Sequence, residues 1–184
     1  MNHHKNEENG VQFTDVETLR ERARHNVEKG AVTDHYGADR KQVIEKLNES
    51  LATELVCVLR YKRHYYMASG LASESVKAEF LAHAGEEQGH ADRLAERIVQ
   101  LGGAPDLNPS SLSARAHSEY VEGSTLREMI REDLVAERIA IESYVELVGW
   151  LDGKDPTSQK LLREILANEE EHAEELASLL AVMK

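Results

Sequence analysis

Four glutamates stand where leucines belong. From about residue 40 to residue 184 the chain carries four apolar stripes at the i, i+3, i+4, i+7 spacing of an amphipathic helix, and one carboxylate interrupts each near its midpoint. The first stripe is Ile44, Leu47, Leu51, Glu54, Val58, Tyr61, Tyr65, and the second is Phe80, Ala84, Glu87, Ala91, Leu94, Ile98, Leu101. The third is Ile130, Leu134, Glu137, Ile141, Tyr144, Val148, and the fourth is Leu162, Ile165, Glu169, His172, Leu176, Leu180. Two of them contain Glu-x-x-His, as Glu87 to His90 and Glu169 to His172. An unpaired buried carboxylate costs several kcal/mol or takes up a proton, so four converging in one core require counter-charge. Two divalent cations supply it.

The 184 residues have room for one full core, and 41% hydrophobic content is that of a globular chain. Cys57 is the only cysteine and cannot form an intrachain disulfide. No hydrophobic leader is evident, so the chain is read as cytoplasmic. No run of about 18 apolar residues exists, and no membrane association is expected. The net charge of −12 disfavours nucleic acid, whose phosphates it would repel, and suits attraction of cations.

Residues 1–38 read as a polar N-terminal extension, separate from the remainder. Within it Thr14-Asp15-Val16-Glu17 predicts a capping box that opens a short helix ending near Gly30. His3 and His4 are assigned to a disordered polar terminus rather than to metal binding. Residues 39–184 form the core region. Its first helix is expected from about Asp39 to Ala68, and after a short Ser69 to Ser73 turn the second runs to about Leu101, antiparallel to the first. Residues 102–123 break the periodicity and have room for one short helix around Ser111 to His117. Ser124 opens the third helix, which ends near Leu151, and the fourth follows the Asp152 to Pro156 turn.

Helices of this length span roughly 40 Å at the standard rise per residue. The long connection can cross that distance and leave helix three parallel to helix two. The expected fold is therefore all-α: a ferritin-like four-helix bundle, up-down-down-up with one long crossover. Glu54, Glu87, Glu137 and Glu169 then share one level. With His90 and His172 they form a carboxylate and imidazole set without thiolate, suited to iron or manganese, with zinc also admissible. A lone Glu-x-x-His is a weak signal, because solvated helix faces often produce one. Two of them on core stripes, matched by two more core glutamates, are far harder to obtain by chance. His64, His83 and Glu86 are read as ordinary polar positions, and Tyr61 serves equally as core packing or as a redox or hydrogen-bonding neighbour of the metals.

From about residue 44 to residue 182 the sequence resembles the bacterioferritin branch of the ferritins. The resemblance rests on Leu47 to Leu55 with Tyr61 and His64, on Glu87-x-x-His90-Ala91-Asp92-Arg93-x-x-Glu96-Arg97-Ile98, on Asp133-Leu134-x-x-Glu137, and on Glu164-Ile165-Leu166-x-x-Glu169-Glu170-x-His172. It implies that Glu87 and Glu169 bridge two irons, that Glu54 and His90 complete one, and that Glu137 and His172 complete the other. It further implies oxidation of Fe(II) by O2 or H2O2 and storage of ferric mineral in a homo-oligomeric shell. Gln88 stands where the family carries its haem-binding methionine, so no haem is expected. The crossover, the N-terminal extension and the lack of a fifth helix are similar to the Dps miniferritins, and a shell of twelve chains is favoured over twenty-four. Related miniferritins often carry a cysteine pair near the site, and Cys57 has no partner. The expected function is an iron-storage and detoxification ferroxidase. The alternative is a soluble di-metal oxidoreductase acting on peroxide without mineral storage, and a DNA-compacting role is disfavoured by the acidic charge.

Overall fold

Each long helix whose start is visible begins at a side chain that satisfies its first free N–H groups. In this computed structural model, which describes residues 13–70 and 73–183, α1 is Val16–His25, α2 is Arg40–Met67, α3 is Ser73–Gln100, α4 is Leu112–Arg115, α5 is Leu126–Trp150 and α6 is Pro156–Val182. His3 and His4 lie outside the described residues, as do Leu71 and Ala72 of the first turn. Asp39 accepts from Lys41 N and Gln42 N to cap α2, Thr125 caps α5 by accepting from Glu128 N, and Asp155 caps α6 by accepting from Ser158 N, with Pro156 in the first turn. The start of α5 is thus one residue later than Ser124, whose own N–H donates instead to Glu128. The end of α3 is a Schellman motif, in which Gly102 N donates to Val99 O and Gly103 N to Ile98 O, with Gly102 at φ 77.

The chain divides into two compact units between His35 and Tyr36. In the first, Asp15 rather than Thr14 caps α1, accepting from Thr18 N, because its carboxylate also takes the Thr18 hydroxyl proton. The helix ends at His25 and a 3-10 turn, Val27–Lys29, leads to Gly30.

In the second unit α2, α3, α5 and α6 form a four-helix bundle. Paired side chains show its directions. Along α2, Glu54 meets His90, Tyr61 meets His83 and His64 meets Phe80, so numbers rise on α2 as they fall on α3. The same α2 residues meet α5 in descending order: Glu54 with Tyr144, Tyr61 with Glu137, His64 with Asp133. On α3 and α6, His83 pairs with Glu175, Glu86 with His172 and Arg93 with Glu164. The order is up-down-down-up, as the loop lengths imply.

Residues 101–125 make the crossover, and α2 holds it along its length. Asn48 binds Ala104 O and Asp106 N, Thr53 Oγ1 accepts from His117 N, and Arg60 donates to Glu119 O. Leu112 of α4 packs on Ala52 and Val56. Consequently α2 is buried on two faces at mid-length, Ser50 to Glu54 and Val56 to Val58, whereas its sequence shows a single apolar stripe. No helix among the described residues is long and apolar enough to cross a membrane.

Candidate metal centre

The bundle brings Glu54, Glu87, His90, Glu137, Glu169 and His172 to one level in its core. The four carboxylates are at most 1% exposed and the imidazoles at most 4%. They fall into two overlapping groups, Glu54, Glu87, His90, Glu169 and Glu87, Glu137, Glu169, His172, and the ligand atoms of each lie within 4.8 Å of one another. Glu87 and Glu169 belong to both. The Glu-x-x-His spacing achieves this because residues three apart on a helix share a face. His90 Nδ1 lies 3.4 Å from Glu54 Oε2, 3.2 Å from Glu87 Oε2 and 3.0 Å from Glu169 Oε1. His172 Nδ1 lies 3.4 Å from Glu87 Oε1, 3.8 Å from Glu169 Oε2 and 4.0 Å from Glu137 Oε2.

Glu54 Oε2, Glu87 Oε1, Glu137 Oε2, both oxygens of Glu169 and His172 Nδ1 are buried and have no hydrogen-bond partner in the protein. Buried polar atoms are normally satisfied. So many orphaned donors of electron pairs, all turned into one space, fit cations bound among them. His172 Nε2 is held by Glu86, and an imidazole that donates from Nε2 keeps the lone pair of Nδ1 for the centre.

Two tyrosines orient the outer glutamates across the bundle. The Tyr61 hydroxyl donates to Glu137 Oε1 and the Tyr144 hydroxyl to Glu54 Oε1. Tyr61 therefore joins the site as a hydrogen-bonding neighbour. Tyr144 is its counterpart and reads in sequence only as part of an apolar stripe; the signal was its spacing, seven residues after Glu137 as Tyr61 is seven after Glu54. His64 stays apart, bonded to Asp133 Oδ2 at 2.8 Å, and Arg60 Nε donates to the other oxygen at 2.8 Å, a fully buried triad between α2 and α5. Cys57 is buried beside it, 3.4 Å from Arg60 Nη2. Gln88, in place of methionine, is half-buried and donates to Asp92.

Electrostatics follow from the same crowding. Burial, and then the charge of Glu87, push Glu54 and Glu169 well above the ordinary carboxylate range and carry Glu137 to about 7. Burial acts on Glu87 as well, but its close approach to Glu54, His172 and His90 outweighs it and holds Glu87 low. Burial opposes the imidazolium form of both histidines, yet the adjacent Glu54 and Glu87 carboxylates raise His90 to about 10, and Glu87 foremost raises His172 to about 9. The raised values favour the protonated forms of Glu54 and Glu169 and of both imidazoles.

Fold and centre together define a carboxylate-rich four-helix bundle. A family model described as Ferritin-like domain matches residues 44–184, and the chain belongs to that family. It is similar to the bacterioferritin of Mycobacterium bovis, 32% identical over 142 residues that make up 77% of this chain and 85% of that protein. It is also similar to the DNA protection during starvation protein of Pyrococcus furiosus, at 30% identity over 139 residues, 74% of this chain and 75% of that one. Among solved structures, the bacterioferritin-related dodecameric thioferritin from Bacteroides fragilis superposes with a TM-score of 0.76 at 32% identity, covering 79% of this chain and 88% of that chain.

Proposed function

We propose that the protein is an iron-storage and detoxification ferroxidase, which oxidises Fe(II) with O2 or H2O2 at a two-iron site inside each subunit and stores the ferric product within a shell of twelve chains. One observation carries this reading: two overlapping donor groups share Glu87 and Glu169 and turn unpartnered oxygens into a single buried space. Glu87 and Glu169 act as bridges between the two irons, Glu54 and His90 complete one position, and Glu137 and His172 complete the other. Oxygen and imidazole ligands suit Fe(II), and manganese or zinc fits the same donors. Four carboxylates balance two dications, and two irons held side by side deliver the two electrons that reduce O2 to peroxide or peroxide to water. Tyr61 and Tyr144 keep Glu137 and Glu54 aimed inward, and no haem is required.

The dodecameric relative supports the shell. So does apolar surface on the outside of the bundle at Leu59, Leu81, Val99, Val135 and Val145, which subunit contacts would cover. Net charge of −12 speaks against DNA as a partner, and tight binding in a gel shift at low salt would reverse that conclusion.

The test is to load metal-free protein with Fe(II) in air, pass it through a sizing column and measure iron per chain and particle mass. Iron far beyond two per chain in a large particle is the expected result. Iron stopping at two per chain in a small oligomer would instead establish the di-metal oxidoreductase. Glu87→Ala and Glu169→Ala should each reduce Fe(II) oxidation to the rate of buffer alone, and a wild type no faster than buffer would sink the ferroxidase reading.

A further inference from the structure

A second donor group lies beside the centre, on the face shared by α3 and α6. Glu79 and His83, one turn apart on α3, face Glu175 of α6, and one ligand atom from each lies within 4.8 Å of the others. His83 is 2% exposed while the Glu175 side chain is 46% exposed, so the group reaches from the core to an open groove lined also by Glu171 and Glu174. Those glutamates alone would be a solvated acidic face. The buried imidazole makes the difference.

Tyr61 has one hydroxyl proton and donates it to Glu137, so its oxygen accepts from His83 Nδ1, 3.2 Å away. A neutral imidazole protonated at Nδ1 presents a lone pair at Nε2. His83 Nε2 lies 2.8 Å from Glu175 Oε2, with the Glu79 carboxylate alongside. A proton on Nε2 holds this pair together, and a metal ion bound by both atoms does so in its place. One imidazole and two carboxylates form a donor set for a divalent first-row metal. The His83 ring also stacks on His172 with centroids 4.1 Å apart, so an ion held here adjoins the six-residue centre.

We infer that Glu79, His83 and Glu175 form a third divalent-cation site, which collects Fe(II) from the acidic groove and passes it to the centre. The binding stands on its own geometry, and the hand-off rests on the function proposed above. Acidic walls raise the local cation concentration at such a groove.

The experiment is an anaerobic equilibrium titration of full-length, metal-free protein with Co(II), on wild type and on the double variant Glu79→Gln/Glu175→Gln. Wild type should bind three Co(II) per chain and the variant two, with cobalt anomalous scattering placing the lost ion among Glu79, His83 and Glu175. In stopped-flow with two Fe(II) per chain, the variant should keep the full amplitude of oxidation and lose severalfold in rate. Two Co(II) per chain in both proteins, or three in both, would overturn the third site and leave the centre standing. A single Co(II) per chain that the double substitution removes would support the third site and overturn the reading of the six-residue centre.

Discussion

Tyr61 and Tyr144 show how single hydroxyls orient the outer glutamates of the candidate metal centre. Each donates to one outer glutamate from the helix opposite, leaving the other oxygen of that glutamate free and facing inward. Groups that orient a ligand in this way typically change metal affinity by about 10–100-fold when removed. Tyr144→Phe should therefore weaken the position formed with Glu54 and His90, and Tyr61→Phe the one formed with Glu137 and His172. In the Glu79→Gln/Glu175→Gln background, calorimetric titration with Zn(II) should resolve two binding steps, with a different one weakened by each tyrosine substitution. Unaltered isotherms would show that packing alone orients the glutamates.

At the scale of elements, the register of α2 against α5 decides whether those pairs can form. The buried Arg60, Asp133 and His64 triad lies on the next turns of the same two helices and bonds both carboxylate oxygens of Asp133. Arg60 further donates to Glu119 O and so ties the end of the crossover to the same point. Removing one partner of a buried ion pair strands the other, at a cost of about 3–5 kcal/mol. Arg60→Leu should lower stability by about that much in guanidinium unfolding. A change within about 0.5 kcal/mol, the range of ordinary surface substitutions, would mean that the triad is not what holds the register.

For the whole molecule, the protonation of the centre links stability to pH and to metal. Glu54, Glu137 and Glu169 have raised values in the folded state, and so do His90 and His172. Between the unfolded carboxylate range and about 10 the folded protein therefore binds more protons than the unfolded chain, and stability falls as pH rises. Glu87, held low, contributes in the opposite direction only below the ordinary carboxylate value. The melting temperature of metal-free protein should decline from pH 6 to pH 9. Bound cations replace those protons, so metal should release protons on binding, bind more tightly at higher pH and abolish the decline. Scanning calorimetry of the two forms across this range tests it, and parallel curves would disprove the linkage.

Helix content, the crossover and the four inward glutamates were legible in the chain because periodicity is a property of one segment at a time. Glu54, Glu87, Glu137 and Glu169 announce themselves as carboxylates inside otherwise apolar stripes, and loop lengths alone bring them to one level. What no single segment contains is the identity of a partner on another helix. His64 reads as an ordinary polar residue yet completes a buried triad, Tyr144 reads as core yet holds Glu54, and Glu86 reads as an ordinary polar position yet bonds Nε2 of His172. The second buried face of α2 likewise depends on where the crossover lies. The sequence by itself determined which faces are apolar and where charge must be neutralised. The register between helices, set by how their side chains interdigitate, decided which hydrogen bonds aim the glutamates.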